Sequence, residues 1–270
     1  MLANVPEYPS SHSQMPLPLI VRLYEMTGED KYMAPAGKLV DKCLEEPEFR
    51  PGDQGFLQTQ RYMHPETYAA LKKEIPGGAG TYVDCIATHY MPAMLTARAL
   101  GREREMADLV AMTLKEAMRH LLDPETGLFH QSILGHRQNK KGICGHGSMW
   151  TLFAMGLILE AFPRDHPDQP GLVRILRDLA EAVGRVQTPE GAFHCLLDVP
   201  ATPLSSLYTP AIGCALVRGA RMGFLPDSAR ACGLKAWEAI KLRTFRGGRV
   251  GDSSGTVSYT HLTLPTSDLV

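Results

Sequence analysis

The 270-residue sequence lacks the features that mark membrane-spanning or nucleic-acid-binding proteins. Its longest apolar stretch, residues 149–161, is interrupted and too short to cross a bilayer. Lysine and arginine total 28 and aspartate and glutamate total 29, so no excess of one charge favours nucleic acid or an anionic membrane as a partner. With 44% apolar residues, the composition predicts a globular protein with one large core.

Paired cysteines and a leader segment are also missing. The six cysteines are scattered and form no Cys-x-x-Cys pair, so we expect neither a zinc site nor a disulfide framework. The first 20 residues lack a basic region followed by a clean apolar run, so no signal peptide is predicted. Both observations favour thiols in a reducing compartment, and hence a cytoplasmic protein.

The end of the sequence differs in character from the rest. Residues 257–266, which read VSYTHLTLPT, resemble the translation of a sequencing adapter. We therefore expect residues 257–270 to be a non-native tail, and residues 1–256 to form a single domain. The alternative is a genuine polar tail.

Helical periodicity dominates the sequence, and the two-residue alternation of strands is scarce. Mostly apolar segments alternate with amphipathic ones. The apolar segments are 82–100, 148–162 and 207–222, and the amphipathic ones are 103–122, 171–186 and 226–242. Buried helices are apolar all round, whereas surface helices have one apolar face. The pattern predicts an all-α fold of concentric helical rings, with the long loops gathered at one end.

Five segments in order resemble motifs of one enzyme group. They are residues 19–28, Tyr82-Val-Asp84-Cys-Ile86, Asp123-Pro-Glu-Thr-Gly-Leu-Phe-His-Gln131, Gly145-His-Gly-Ser-Met-Trp150, and the pair 204–206 and 219–226. Together they resemble the unsaturated glucuronyl and rhamnogalacturonyl hydrolases, glycoside hydrolase families 88 and 105. The resemblance implies an (α/α)6 barrel, a six-hairpin toroid, which we expect to be incomplete at both ends.

The resemblance also implies a reaction. Such enzymes remove a 4,5-unsaturated uronic acid from oligosaccharides that a polysaccharide lyase has produced. An acid protonates C4, water adds at C5, and the hemiketal opens and releases the remaining sugar. This chemistry needs a carboxyl group that gives and takes a proton, but neither a metal nor another cofactor.

Asp84 is the strongest catalytic candidate, because it matches one of two family aspartates. It is also placed to cap the following helix, and the two roles are compatible. The second family aspartate is expected at position 134, where this sequence has Leu134. Leucine cannot transfer a proton. Either Asp84 works with His130 or His146, or residues 132–142 supply another group, or the chemistry has changed.

The other candidates lie in the same matched segments. His146 stands at a family arginine position and can still donate to a carboxylate. Trp150 is expected to stack on a sugar ring or to pack in the core, and His130 to face the substrate or to make a structural hydrogen bond. Gln131 and Ser148 are further substrate-binding candidates.

Four residues outside segments 123–131 and 145–150 complete the predicted site. His89 and Tyr90 follow Asp84 by about one helical turn, so both are candidates to line the cavity, although a core position is the ordinary one for such a histidine. Ser205 and Ser206 are expected either to line the pocket or, as we favour, to cap the next helix.

Two rival functions remain open on this sequence. The same barrel can carry a sugar epimerase or isomerase that uses histidines. A non-catalytic carbohydrate-binding relative is the other alternative, and Leu134 favours it. The sequence does not determine the oligomeric state.

Overall fold

Eight α-helices account for most of the residues that the computed structural model describes, namely 17–45, 83, 86–131 and 142–244. Asp84, Leu134 and the tail at 257–270 lie outside these residues. The helices are α1 (Leu17–Thr27), α2 (Met33–Glu45), α3 (Met91–Ala99), α4 (Glu103–Leu121), α5 (Gly145–Ala161), α6 (Gln169–Arg185), α7 (Tyr208–Arg221) and α8 (Asp227–Lys241). Within the described ranges, β-pairing occurs only as isolated bridges.

The helices form an inner and an outer layer, as the alternating pattern predicts. Helix α5 has no exposed residue, and only the face that carries His146, Trp150 and Leu157 is partly exposed. Helices α4 and α6, in contrast, bury one face and expose charged residues on the other. The inner helix α3 contacts α5, and α5 contacts α7. Each of the outer helices α4, α6 and α8 packs on the inner helix that precedes it in sequence. Burial of a large apolar side chain contributes about 1.5–3 kcal/mol, so the inner layer is the main source of stability.

The inner helix α3 does not begin as the sequence pattern suggests. A π-helix over Ile86–Tyr90 leads directly into it, and all five of its residues are buried. Pro92 has no amide hydrogen to donate to the carbonyl oxygen of Thr88, four residues earlier, so the regular hydrogen-bond ladder is interrupted there. Such π-turns are frequent at functional sites.

The predicted ends of the helices coincide with glycines in the left-handed region. Gly28, Gly101 and Gly223 have φ values of 69°, 70° and 78° and follow α1, α3 and α7. Residues with a Cβ atom rarely adopt this conformation, so glycine is the residue that allows the chain to leave the helix and reverse.

The first turn of α5 packs against the backbone of the loop that follows α4. A Cβ atom on Gly147 would lie 2.1 Å from the carbonyl oxygen of Phe129 and 2.6 Å from the carbonyl carbon of His130. No side chain fits in that space. Glycine at position 147 therefore sets how closely the two segments that carry the family-like motifs approach each other.

Apolar side chains are exposed beside the outer helix α8. Trp237 is 57% exposed and Leu207 is 45% exposed. With Pro210 and Ile240 they line a groove of about 650 Å³. The expectation that the barrel is incomplete stays a prediction. No helix within the described residues is both long enough and apolar enough to span a bilayer.

Replacing Gly147 by alanine is expected to destabilise the protein by about 1–3 kcal/mol, the cost of forcing extra atoms into a packed interior. The obstacle is backbone, which cannot move aside as a flexible side chain can. The free energy of unfolding, measured by urea titration, tests this expectation.

Gly156→Ala is the matched control, because it lies on the same helix and its added Cβ atom would meet nothing within 4 Å. We expect this variant to be more stable than the wild type by up to about 1 kcal/mol, from helix propensity alone. Equal effects of the two substitutions would contradict the close contact at Gly147.

Candidate active site

The loop after α4 is a tight hairpin that positions His130 and Gln131. Leu122 and Phe129 form an antiparallel bridge, and the His130 amide donates to the Leu121 carbonyl at 2.8 Å. The Asp123 carboxylate holds the turn, since its Oδ1 accepts from the amide of Thr126 at 2.8 Å and from its hydroxyl at 2.9 Å. An aspartate followed by proline, with a glycine of positive φ at position 127, favours this kind of turn.

Asp123 also contacts His130, a pairing that sequence analysis missed. His130 is 5% exposed, and its Nε2 lies 3.5 Å from Asp123 Oδ2. Burial opposes ionisation of Asp123, but the hydrogen bonds from Thr126 and the nearby His130 outweigh it and lower the pKa of this carboxyl below its ordinary value. The pair is therefore a carboxylate beside an imidazole that it can orient and whose charged form it stabilises.

The hairpin is fastened to the first turn of α5. The Ser148 hydroxyl, which is fully buried, accepts a hydrogen bond from the Phe129 amide at 2.9 Å. This bond and the contact at Gly147 place the segments that contain His130 and His146 side by side. Ser148 therefore has a structural role, and its predicted contact with substrate stays a prediction.

His146 lies on the first turn of α5 and is partly exposed. Trp150, one turn later, donates from its indole Nε1 to His146 Nε2 at 2.7 Å. The His146 ring also meets the Trp150 and Tyr208 rings edge-on, with centroids 6.0 and 6.2 Å apart. The imidazole is thus held from two sides.

A third segment, the loop between α6 and α7, is hydrogen-bonded to the residues at the start of α5. The Gly145 amide donates to the Cys195 carbonyl at 3.0 Å, and the Leu197 amide donates to the Ile143 carbonyl at 2.8 Å. The loop leads into Tyr208, the first residue of α7, whose hydroxyl lies 3.3 Å from Cys144 Sγ. The sequence offers no signal for this contact, because the two residues are 64 positions apart and a buried tyrosine is ordinary in a core.

The π-helix supplies two of the predicted residues, both deep in the core. His89 is 1% exposed, with its Nδ1 3.0 Å from the Thr88 hydroxyl, and Tyr90 is fully buried. The amide of the nearby Val83 donates to the Gln131 carbonyl at 2.9 Å, so this part of the chain adjoins the hairpin. Asp84, the next residue in the sequence, is not among the described residues, and its role stays a prediction.

The two predicted serines differ in their surroundings. The Ser205 hydroxyl accepts from the amides of Leu207 and Tyr208 at 3.3 and 3.1 Å, which is the capping role that the sequence favours. Ser206 lies on the groove beside Trp237, facing α8. A contact of either serine with substrate stays a prediction.

Of the predicted site residues that are described, three are partly exposed, namely Gln131, His146 and Trp150. They offer an amide, an imidazole and an indole to a ligand, and the Asp123–His130 pair lies beneath them in the hairpin. Polar donors beside an aromatic ring suit an anionic sugar. No cluster of three metal-ligating side chains occurs within the described ranges.

The sequence matches known proteins along most of its length. Residues 9–261 match the sequence model of Glycosyl Hydrolase Family 88. The chain is 26% identical over 207 residues to the unsaturated rhamnogalacturonyl hydrolase YesR of Bacillus subtilis (strain 168), an alignment covering 74% of this chain and 55% of that protein. The chain thus spans little more than half the length of this relative.

Solved structures share the fold. A possible member of the GH105 family from Salmonella enterica serovar Paratyphi A superposes with a TM-score of 0.77 at 19% identity, covering 94% of this chain and 64% of that chain. A family 88 glycosyl hydrolase from Bacteroides vulgatus gives a TM-score of 0.70 at 17% identity, covering 92% and 66%. The helices described above have the (α/α)6 barrel fold of these enzymes.

The lowered pKa of Asp123 predicts a pH dependence of stability. A carboxyl whose pKa is lower in the folded state stabilises the fold at pH values above its unfolded-state pKa of about 3.9. That contribution is lost as the pH falls from this value towards the lower folded-state pKa. Wild-type stability is therefore expected to decline over this acid range, as measured by thermal unfolding between pH 6 and about pH 2.5.

Two variants, Asp123→Asn and Asp123→Ala, distinguish the stability due to the carboxylate charge from that due to the turn hydrogen bonds. Asparagine keeps an oxygen that can accept from Thr126 but has no charge to pair with His130, so its stability at pH 6 should fall and the part of the acid decline due to Asp123 should vanish. Alanine also loses the turn bonds, at a further cost of about 1–2 kcal/mol. An unchanged acid profile in the asparagine variant would show that Asp123 is not the group concerned.

Proposed function

The chain belongs to glycosyl hydrolase family 88, and from that membership we propose that it removes a 4,5-unsaturated uronic acid from oligosaccharides made by a polysaccharide lyase. The observation that carries the proposal is the junction between the hairpin at 121–131 and the first turn of α5. The two segments are far apart in sequence, both contain family-like motifs, and they meet at Gly147 and Ser148.

The reaction is hydration followed by ring opening. A proton is added to C4 and the hydroxyl of a water molecule to C5, so the double bond is consumed. The bond between C5 and the ring oxygen then breaks, which leaves a ketone at C5 and a hemiacetal at C1. The hemiacetal expels the remaining sugar as an alcohol, and one water molecule is used overall.

We assign the proton transfers to Asp84 with His130 as its partner. Two observations favour His130 over His146 as that partner. Its imidazole lies 3.5 Å from the Asp123 carboxylate, which stabilises the positive charge that the ring gains when it takes a proton from water. His146 Nε2, in contrast, already accepts the Trp150 indole N–H. This assignment removes the need for an aspartate at position 134.

His146, Gln131 and Trp150 are assigned to binding the sugar. All three are partly exposed where the hairpin meets α5, and none is a carboxylate that would repel a uronate. The substrate carboxylate accepts hydrogen bonds from the imidazole and the amide, and the sugar ring packs on the indole.

A second candidate function uses the same residues. An epimerase or isomerase needs an acid and a base on opposite sides of one carbon, and two imidazoles on adjoining segments, one of them paired with Asp123, can provide them. Leu134, at the position expected for the second family aspartate, keeps this candidate and a carbohydrate-binding relative open. The assay below separates the three.

We place the reaction in the cytoplasm. The described cysteines are held as thiols, and Cys43, Cys144 and Cys195 are buried. Proteins from oxidising compartments commonly pair their cysteines, so this distribution suits a reducing environment.

Asp84→Asn is expected to abolish turnover of unsaturated uronyl disaccharides, followed as the loss of ultraviolet absorbance of the conjugated C4=C5 bond. Loss of general acid–base catalysis costs about 10²–10⁴-fold in rate. The matched control is Asp178→Asn, the same chemical change at an exposed position on α6 whose aspartate forms a long ion pair, at 3.8 Å, with Arg174.

Each outcome separates the candidate functions. Activity in the wild type and in Asp178→Asn, but not in Asp84→Asn, supports hydration. If the wild-type protein is folded but leaves the absorbance unchanged, the hydrolase proposal is wrong. A change in sugar stereochemistry, seen by proton NMR, would then identify an epimerase, and binding without any chemical change would identify a carbohydrate-binding relative.

A further inference from the structure

The hydrogen bond between Trp150 and His146 fixes where the imidazole proton lies. An indole N–H is only a donor, so the nitrogen that it meets must be an acceptor. His146 Nε2 receives this bond at 2.7 Å. Neutral histidine carries one proton on its two ring nitrogens, and with Nε2 unprotonated that proton lies on Nδ1.

The Trp150 side chain is itself restrained by its helix and by its neighbours. It lies four residues after His146 on α5, a spacing that places two side chains on the same helical face. The Phe153 ring packs against the indole in an edge-to-face arrangement, with ring centroids 6.1 Å apart. The indole is therefore held by packing on one side and by its hydrogen bond on the other.

The His146 ring is also restrained from turning over. Tyr208 meets it edge-on at an interplanar angle of 87°, and the Tyr208 ring itself packs against Gly145, where an added Cβ atom would lie 2.4 Å from it. A flip of the imidazole would exchange Nε2 and Nδ1 and forfeit the bond to Trp150. The three aromatic rings thus favour a single orientation and a single tautomer.

We propose that Trp150 is a positioning residue that holds His146 in the tautomer protonated on Nδ1, so that His146 serves the reaction as a hydrogen-bond donor to a substrate oxygen and not as a base through Nε2. The donation from His146 to a substrate oxygen rests on the proposed hydrolase function. The tautomer itself is a property of the protein without substrate and can be measured separately.

This role differs from stacking on the sugar, the ordinary role for a tryptophan in such a site. A stacking residue acts through its ring face, and phenylalanine replaces much of that surface. A positioning residue acts here through its N–H group, which phenylalanine lacks. Trp150→Phe therefore removes the donor and keeps an aromatic ring in its place.

The test is a nitrogen-15 NMR measurement of the histidine side chains in the full chain without substrate, at a pH where the imidazoles are neutral. Correlations between ring protons and ring nitrogens show which nitrogen of each histidine bears a proton. His146→Gln identifies the His146 signals by their disappearance. We expect Nδ1 of His146 to be protonated in the wild type and Nε2 to be unprotonated.

In Trp150→Phe the ratio of the two tautomers is expected to shift about tenfold towards protonated Nε2, the change that loss of one neutral hydrogen bond produces. Trp237→Phe is the matched control. It is the same substitution at the other tryptophan of the sequence, which is exposed on α8, and it should leave the His146 signals unchanged.

Kinetics with unsaturated disaccharides give the second readout. Loss of a donor that binds substrate and transition state alike raises KM and leaves kcat nearly unchanged, which we expect for Trp150→Phe. Protonated Nε2 in the wild type, or an unchanged tautomer in Trp150→Phe, would overturn the proposal. If the tautomer shifts as expected but the wild type turns over no substrate, the hydrolase function falls and the positioning role of Trp150 stands.

Discussion

The close contact of Gly147 with the backbone of Phe129 and His130 is the constraint on which the candidate site depends. An added Cβ atom would lie 2.1 Å from the Phe129 carbonyl oxygen, so only glycine allows the first turn of α5 to approach the hairpin this closely. The hydrogen bond from the Phe129 amide to Ser148 secures the same junction. The inner layer of helices supplies the rigid base, because most residues of α5 are buried and the helix packs on both α3 and α7.

The junction gives two histidines different neighbours and therefore different chemistry. His130 lies beside the Asp123 carboxylate, which stabilises the protonated ring. His146 accepts the indole N–H of Trp150 at Nε2, which favours the tautomer that carries its proton on Nδ1. One imidazole is thus suited to taking a proton and the other to donating a hydrogen bond. Under the proposed function, the two histidines take different roles because one lies beside a carboxylate and the other beside an indole N–H.

Much of the fold could be predicted from the sequence, because the alternation of apolar and amphipathic segments directly reflects burial. The segment that forms α5 is apolar on all sides, and glycines mark the ends of α1, α3 and α7. The π-helix before α3 was not predicted, since Pro92 interrupts the hydrogen-bond ladder without altering the apolar pattern. In the site, the spacing of four between His146 and Trp150 was visible, but the bond itself depends on side-chain orientation. The contact of Asp123 with His130 depends on how the loop turns, and local sequence patterns do not show this. The contact of Tyr208 with Cys144 depends on packing between residues that are 64 positions apart.

The proposed function requires the sugar to bind where the hairpin meets the first turn of α5. The most direct test is a crystal structure of the inactive Asp84→Asn variant with an unsaturated uronyl disaccharide. We expect the uronate carboxylate within hydrogen-bond distance of His146 Nδ1 and the sugar ring close to residue 84. A disaccharide bound elsewhere, such as in the groove beside Trp237, with no contact to His130, His146 or residue 84, would contradict it.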